Sequence, residues 1–144
     1  MAKLSRNLIL VVVAAACLSF PSADASTKLV KAKNPNPSLG AVLTKSNKIK
    51  VGQTQVYTGK QASGSIEVIL TRTKKGLVAL DGTCTTQGEK VVLRNKQLIC
   101  LSQGSVYAAA TGYVVLGPKG SPKASIPPLN RFNTTEKSGY IYIK

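Results

Sequence analysis

Asp81 to Thr111 reads DGTCTTQGEKVVLRNKQLICLSQGSVYAAAT. It contains two short loops, Cys84–Thr85–Thr86–Gln87–Gly88–Glu89 and Cys100–Leu101–Ser102–Gln103–Gly104–Ser105. Each loop opens on a cysteine, places a glycine four residues on and follows an apolar, strand-like run. Between them, the apolar residues Val91, Val92 and Leu93, the turn Arg94-Asn95-Lys96 and the run Gln97-Leu98-Ile99 have the texture of a hairpin.

The sequence on both sides agrees. Before the loops, Ser65 to Thr73 reads as a strand, Lys74-Lys75-Gly76 as its turn and Leu77 to Leu80 as the returning strand, ended by Asp81-Gly82. Further upstream, Val42, Leu43, Ile49, Val51 and Val56 lie among Thr, Ser and Lys and suggest the first short strands. After the loops come Ser105-Val106-Tyr107, a turn over 108–112 and the strand Tyr113 to Leu116. A proline-rich loop, 117–122, then leads through Ile126 to Leu129 to the runs 131–135 and 140–143. No stretch beyond the leader sustains a helical period. Many short strands with frequent turn signals predict an all-β fold, a β-sandwich or partly open barrel of short antiparallel strands, with the two cysteine loops at the ends of one hairpin.

The N-terminus has a different character. Lys3 and Arg6 precede the apolar run Leu8 to Leu18, and Ala23-Asp24-Ala25 supplies small residues for cleavage before Ser26. Residues 1–25 therefore read as a secretory signal peptide, and the chain as exported: secreted, periplasmic or associated with the cell envelope. The run is too short to span a bilayer comfortably. Ala14-Ala15-Ala16-Cys17 gives an alternative, a lipoprotein signal that ends before Cys17 and leaves that cysteine as a lipid anchor. Residues 26–39, basic and broken by Pro35 and Pro37, read as a flexible tether, which leaves 40–144 as the folded domain.

The whole chain carries 20 basic and 5 acidic residues, for a net charge of +15. Cleavage before Ser26 removes Lys3, Arg6 and Asp24, leaving 18 against 4 and a net charge of +14. Such a surface attracts an anionic surface or an acidic protein. With two Phe and five Tyr it lacks the stacking positions of a dedicated nucleic-acid binder. Histidine is absent throughout. A hydrolytic nucleophile would need a Lys or carboxylate base, and the four remaining acids are not spaced as an acid/base pair. The chain does not read as an enzyme.

The loops, the strand pair before them, the Ala-Thr-Gly turn at 110–112, the proline loop and the closing strand together resemble the small Rieske iron–sulfur domain. In that family the loops run Cys-x-His-x-Gly-Cys and Cys-x-x-His-Gly-Ser, the second usually with a further cysteine third. The resemblance implies a two-iron, two-sulfur cluster held by two cysteines and two histidines, and electron transfer with a redox partner. It assigns the iron ligands to Cys84, Thr86, Cys100 and Gln103, and the family's disulfide to Glu89 and Ser102. Ser105 matches a hydroxyl that hydrogen-bonds a cluster sulfur, and Tyr107 a tyrosine beside the cluster.

Four of these positions depart from the family. Thr86 and Gln103 offer no imidazole, and Glu89 and Ser102 offer no thiol. No cofactor and no metal are therefore expected here. In an oxidising compartment the two cysteines that share one iron in the family are expected to join as a Cys84–Cys100 disulfide. It would close a loop of about 16 residues, worth roughly 3 kcal/mol. The reading that follows is an exported Rieske-like domain without its cluster, a non-redox structural or binding module. The alternative is a Rieske-type electron-transfer protein, the role of the relatives.

Overall fold

The structure, a computed structural model, describes residues 27–28, 38, 40–61 and 64–144. The expected leader and Cys17 lie outside the described residues, as does most of the expected tether. Among the described residues, twelve strands form three sheets. In chain order they are β1 (Thr27–Lys28), β2 (Ala41–Lys45), β3 (Thr54–Gln61), β4 (Gly64–Thr73), β5 (Gly76–Asp81) and β6 (Val91–Arg94). Then come β7 (Gln97–Cys100), β8 (Val106–Ala108), β9 (Val114–Leu116), β10 (Arg131–Phe132), β11 (Thr134–Lys137) and β12 (Tyr140–Ile143). Short 3₁₀ turns occur, and among the described residues there is no α-helix.

The five-stranded sheet, ordered β1-β3-β4-β5-β10, is the middle of the molecule. β4 explains why. Side chains alternate across a strand, so a strand covered on one face alternates apolar with polar, whereas one covered on both can be apolar throughout. Val68, Ile69 and Leu70 are consecutive and fully buried. Val68 and Leu70 pack with Leu43, Ile49, Tyr57, Ile141 and Ile143 on the side of the three-stranded sheet β11-β12-β2. Ile69 packs on the other face with Leu80, Val91, Leu98, Tyr107 and Leu129, beside the four-stranded sheet β6-β7-β8-β9 that carries the loops. The sheets do not close into a barrel.

Two polar contacts tie these layers together. The buried Thr71 hydroxyl donates to the carbonyl of Ala109 at 2.8 Å, joining β4 to the turn after β8. Arg72 donates to both carboxylate oxygens of Glu136, at 3.0 and 3.1 Å, and to the Ile49 carbonyl at 2.9 Å. This fork ties β4 to β11 in the three-stranded sheet and uses one of the few acidic residues structurally.

The strands read from sequence at 65–73, 77–80, 97–99 and 140–143 are present. The run 131–135 is instead broken at Asn133. β10 joins β5 in the central sheet, while β11 pairs with β12 in another. Thr27–Lys28, inside the stretch expected to be a tether, pairs in parallel with Tyr57 and Thr58 of β3.

Candidate functional site

The two cysteine loops hang from the β6–β7 hairpin, whose register sets Val91 opposite Cys100 and Arg94 opposite Gln97. Its two-residue turn, Asn95-Lys96, has positive φ at both positions, 48° and 64°, the mirror-image turn that matches strand twist. An isolated bridge between Thr83 and Lys90 closes the base of the first loop, and the Asp81 carboxylate accepts the Thr83 N–H at 3.0 Å.

Both loops use one backbone frame. Cys84 N–H donates to the Glu89 carbonyl at 2.6 Å, and Gly88 N–H returns to the Cys84 carbonyl at 3.0 Å. In the second loop Cys100 N–H donates to Ser105 at 2.9 Å and Gly104 N–H returns to Cys100 at 2.8 Å. The return bond requires a left-handed residue, and φ is 71° at Gly88 and 69° at Gly104. A Cβ at either glycine would meet nothing within 4 Å, so backbone conformation alone demands glycine there. Gly104→Ala is expected to cost about 1 kcal/mol, read from chemical denaturation, with no loss of core packing. An unchanged midpoint would show that the loop relaxes freely.

This frame brings the two sulfurs together. Cys84 is 2% and Cys100 0% exposed. Both are free thiols in this structure, and they lie in one buried cluster with Val91, Leu98 and Tyr107. Joining them into the expected disulfide would be a two-electron oxidation. Thr86 Oγ1 lies 3.0 Å from Cys84 Sγ, and Ser102 Oγ lies 3.3 Å from Cys100 Sγ. Tyr107 OH is 3.7 Å from Cys84 Sγ. Thr85 gives its single proton to the Pro127 carbonyl at 3.0 Å, so the Tyr107 hydroxyl is the donor in its 3.0 Å bond to Thr85. That leaves Thr86 as the hydroxyl with a proton for Cys84.

The two thiols differ in acidity. Burial pushes Cys84 up, but hydrogen bonds from the Cys100 thiol and from the Thr86 hydroxyl and N–H outweigh it and bring it down to about 7. Burial and the hydrogen bond to Cys84 push Cys100 up. A thiolate reacts and a thiol does not. Alkylation of Cys84 is therefore expected to rise with pH and reach half its limiting rate near about 7, with Cys100 following only at more alkaline pH. Thr86→Val should move the Cys84 profile upward. An unshifted profile, typical of an ordinary thiol, would contradict this geometry.

The other assigned positions contribute less directly. Glu89 and Gln103 enter through backbone carbonyls, the first accepting Cys84 N–H and the second accepting Lys119 N–H at 2.8 Å. The Ser105 hydroxyl is buried without a hydrogen-bond partner. The connection from β9 to β10, residues 117–130, also takes part in the site. Lys119 docks it on the second cysteine loop and Pro127 on the first, through contacts made by backbone groups that no side-chain pattern reports.

A two-iron cluster fits half of this site. Cys84 and Cys100 are placed for one iron, and the orphaned Ser105 hydroxyl suits a sulfide acceptor. The second iron would meet Thr86 and Gln103, neutral oxygen and amide groups in place of imidazoles. Among the described residues, no three His, Cys, Asp or Glu side chains form a group able to hold a metal ion. The donor set does not fit the cluster.

The described fold is similar to the cyanobacterial plasma membrane Rieske protein PetC3 from Synechocystis PCC 6803, with TM-score 0.55 and 24% identity over 72% of this chain and 98% of that one. It is also similar to a chain of the reduced complex between oxygenase and ferredoxin in carbazole 1,9a-dioxygenase, with TM-score 0.51 and 19% identity. That match covers 73% of this chain and 29% of the other. No family model and no curated protein matches the sequence.

Proposed function

We propose that this chain, whose fold is that of the Rieske domains, is an exported module that works without a two-iron, two-sulfur cluster and binds an anionic surface. The observation that carries the first half is the donor set of the cradle: two apposed thiols, with Thr86 and Gln103 where a second iron needs imidazoles. One-electron transfer through iron then has no centre to run on. Anaerobic treatment with excess ferrous iron and sulfide is expected to leave the desalted protein colourless.

Charge supports the second half. Lys48, Lys50, Lys74, Lys75, Arg94, Lys96, Lys119 and Lys123 are exposed. Among the described residues, ion pairs engage Arg72 and Lys90. The chain is expected to sediment with vesicles containing anionic lipid at low ionic strength, to release as salt rises, and to ignore neutral vesicles. No binding to anionic vesicles at low salt would overturn this half and leave an acidic protein as the partner to seek.

Electron transfer through a cluster is the second reading. It is favoured by one observation, the buried Ser105 hydroxyl that lacks an acceptor.

A further inference from the structure

The two cysteines of the cradle come from separate loops, yet both are buried in one cluster of side chains. They are held by matched backbone frames and a hairpin whose register fixes one loop against the other. A disulfide needs two sulfurs brought to about 2 Å, and two loops that bury their cysteines in the same cluster favour that approach. The site also favours the opposite state. Thr86 Oγ1 at 3.0 Å from Cys84 Sγ and Ser102 Oγ at 3.3 Å from Cys100 Sγ give each sulfur its own hydroxyl. A thiolate accepts such bonds strongly and a disulfide sulfur weakly. These hydroxyls thus stabilise the reduced pair and make the bond easier to reopen than a purely structural one.

We propose that Cys84 and Cys100 form a reversible dithiol–disulfide couple that exchanges with small-molecule disulfides. The proposal rests on the cluster-free reading, since a cluster would occupy both sulfurs. Burial of both cysteines restricts the exchange partner to a small molecule, admitted by opening of the exposed loop tips at 86–89 and 101–102. Cys84, with the nearer hydroxyl, acts first. Its thiolate attacks one sulfur of the small disulfide, forming a mixed disulfide and releasing one thiolate, which takes a proton from water. Cys100 then gives its proton to water and attacks Cys84 Sγ, forming the internal bond and releasing the second thiolate. Two cysteine thiols are oxidised, one small disulfide is reduced to two thiols, and two electrons pass. Reduction runs the same steps backward.

The test equilibrates the purified full chain, without oxygen, in graded mixtures of oxidised and reduced glutathione. The samples are then quenched by alkylation and weighed intact. The expected result is interconversion between a form alkylated at Cys84 and Cys100 and a form in which that pair lacks two hydrogens, with Cys17 alkylated in both, reached from either direction without denaturant. Thr86→Val should shift the ratio at least about tenfold toward the disulfide in mildly alkaline buffer, the loss of one hydrogen bond to a charged sulfur. Cys100→Ser should accumulate glutathione on Cys84. Free thiols at both Cys84 and Cys100 at every ratio would overturn the proposal, as would an internal bond that excess reduced glutathione never reopens in the folded protein. These outcomes are read on the wild-type chain and do not depend on a variant folding. Iron and sulfide measured on the same sample separate the two claims. A cluster sinks the cluster-free reading, whereas a cluster-free sample with inert thiols sinks this one alone.

Discussion

A chain carrying Thr86→His, Glu89→Cys, Ser102→Cys and Gln103→His together is expected to emerge coloured, with about two irons and two sulfides bound. The argument rests on what the backbone already provides. Both loops keep the bond from the cysteine N–H to the residue five on, the return bond from glycine, and glycines at φ 71° and 69°. Cys84 and Cys100 already face each other, and Ser105 and Tyr107 are buried beside them. Thr86 and Ser102 are exposed, so larger side chains there displace nothing in the core. Two imidazoles would complete the second iron's ligands, and the new cysteine pair would lock the loops across the tip. Absorption and metal analysis check the result. A folded variant that stays colourless while the wild type is colourless would mean that the frame is not a cluster cradle.

Leu98→Ala is expected to destabilise the domain by about 3 kcal/mol and to lower the thermal midpoint by roughly 15 °C. Leu98 is fully buried on β7, two residues before Cys100, and packs with Ile69, Leu80, Val91 and Tyr107. Truncation leaves a cavity between the loop-bearing sheet and the central one. Calorimetry of Leu101→Ala is the control. Leu101 is 58% exposed at the tip, and its removal should change stability by less than about 0.5 kcal/mol. Equal effects from the two would contradict the placement of the core.

Where the sequence was legible, one physical cause was enough. The uninterrupted run Val68-Ile69-Leu70 could be read as a strand because both faces of β4 are covered. The loop pair was legible because cysteine and glycine at fixed offsets mark a left-handed turn. β3 was marked in the sequence by Val56 alone, without bounds. Its sequence, TQVYTGKQ, is mostly polar, and it is held by pairing with β4 from Thr54 to Gln61 and by the buried ring of Tyr57. The break at Asn133 was equally silent. That residue exchanges backbone bonds with Lys144 at 3.2 and 3.0 Å, a long-range pairing that releases β11 from the central sheet. In the site, the residue types signalled the loss of the imidazoles. The burial of both cysteines in one cluster and the clamp from Thr85 to Pro127 depend on how three loops meet, which no local pattern encodes.

Iron and acid-labile sulfide content, with a visible absorption spectrum, on protein made in cells whose iron–sulfur supply is intact, tests the cluster-free claim most directly. The account predicts neither iron nor sulfide and a colourless sample. About two irons and two sulfides per chain, with the absorption of a bound cluster, would contradict it and establish electron transfer as the function to pursue.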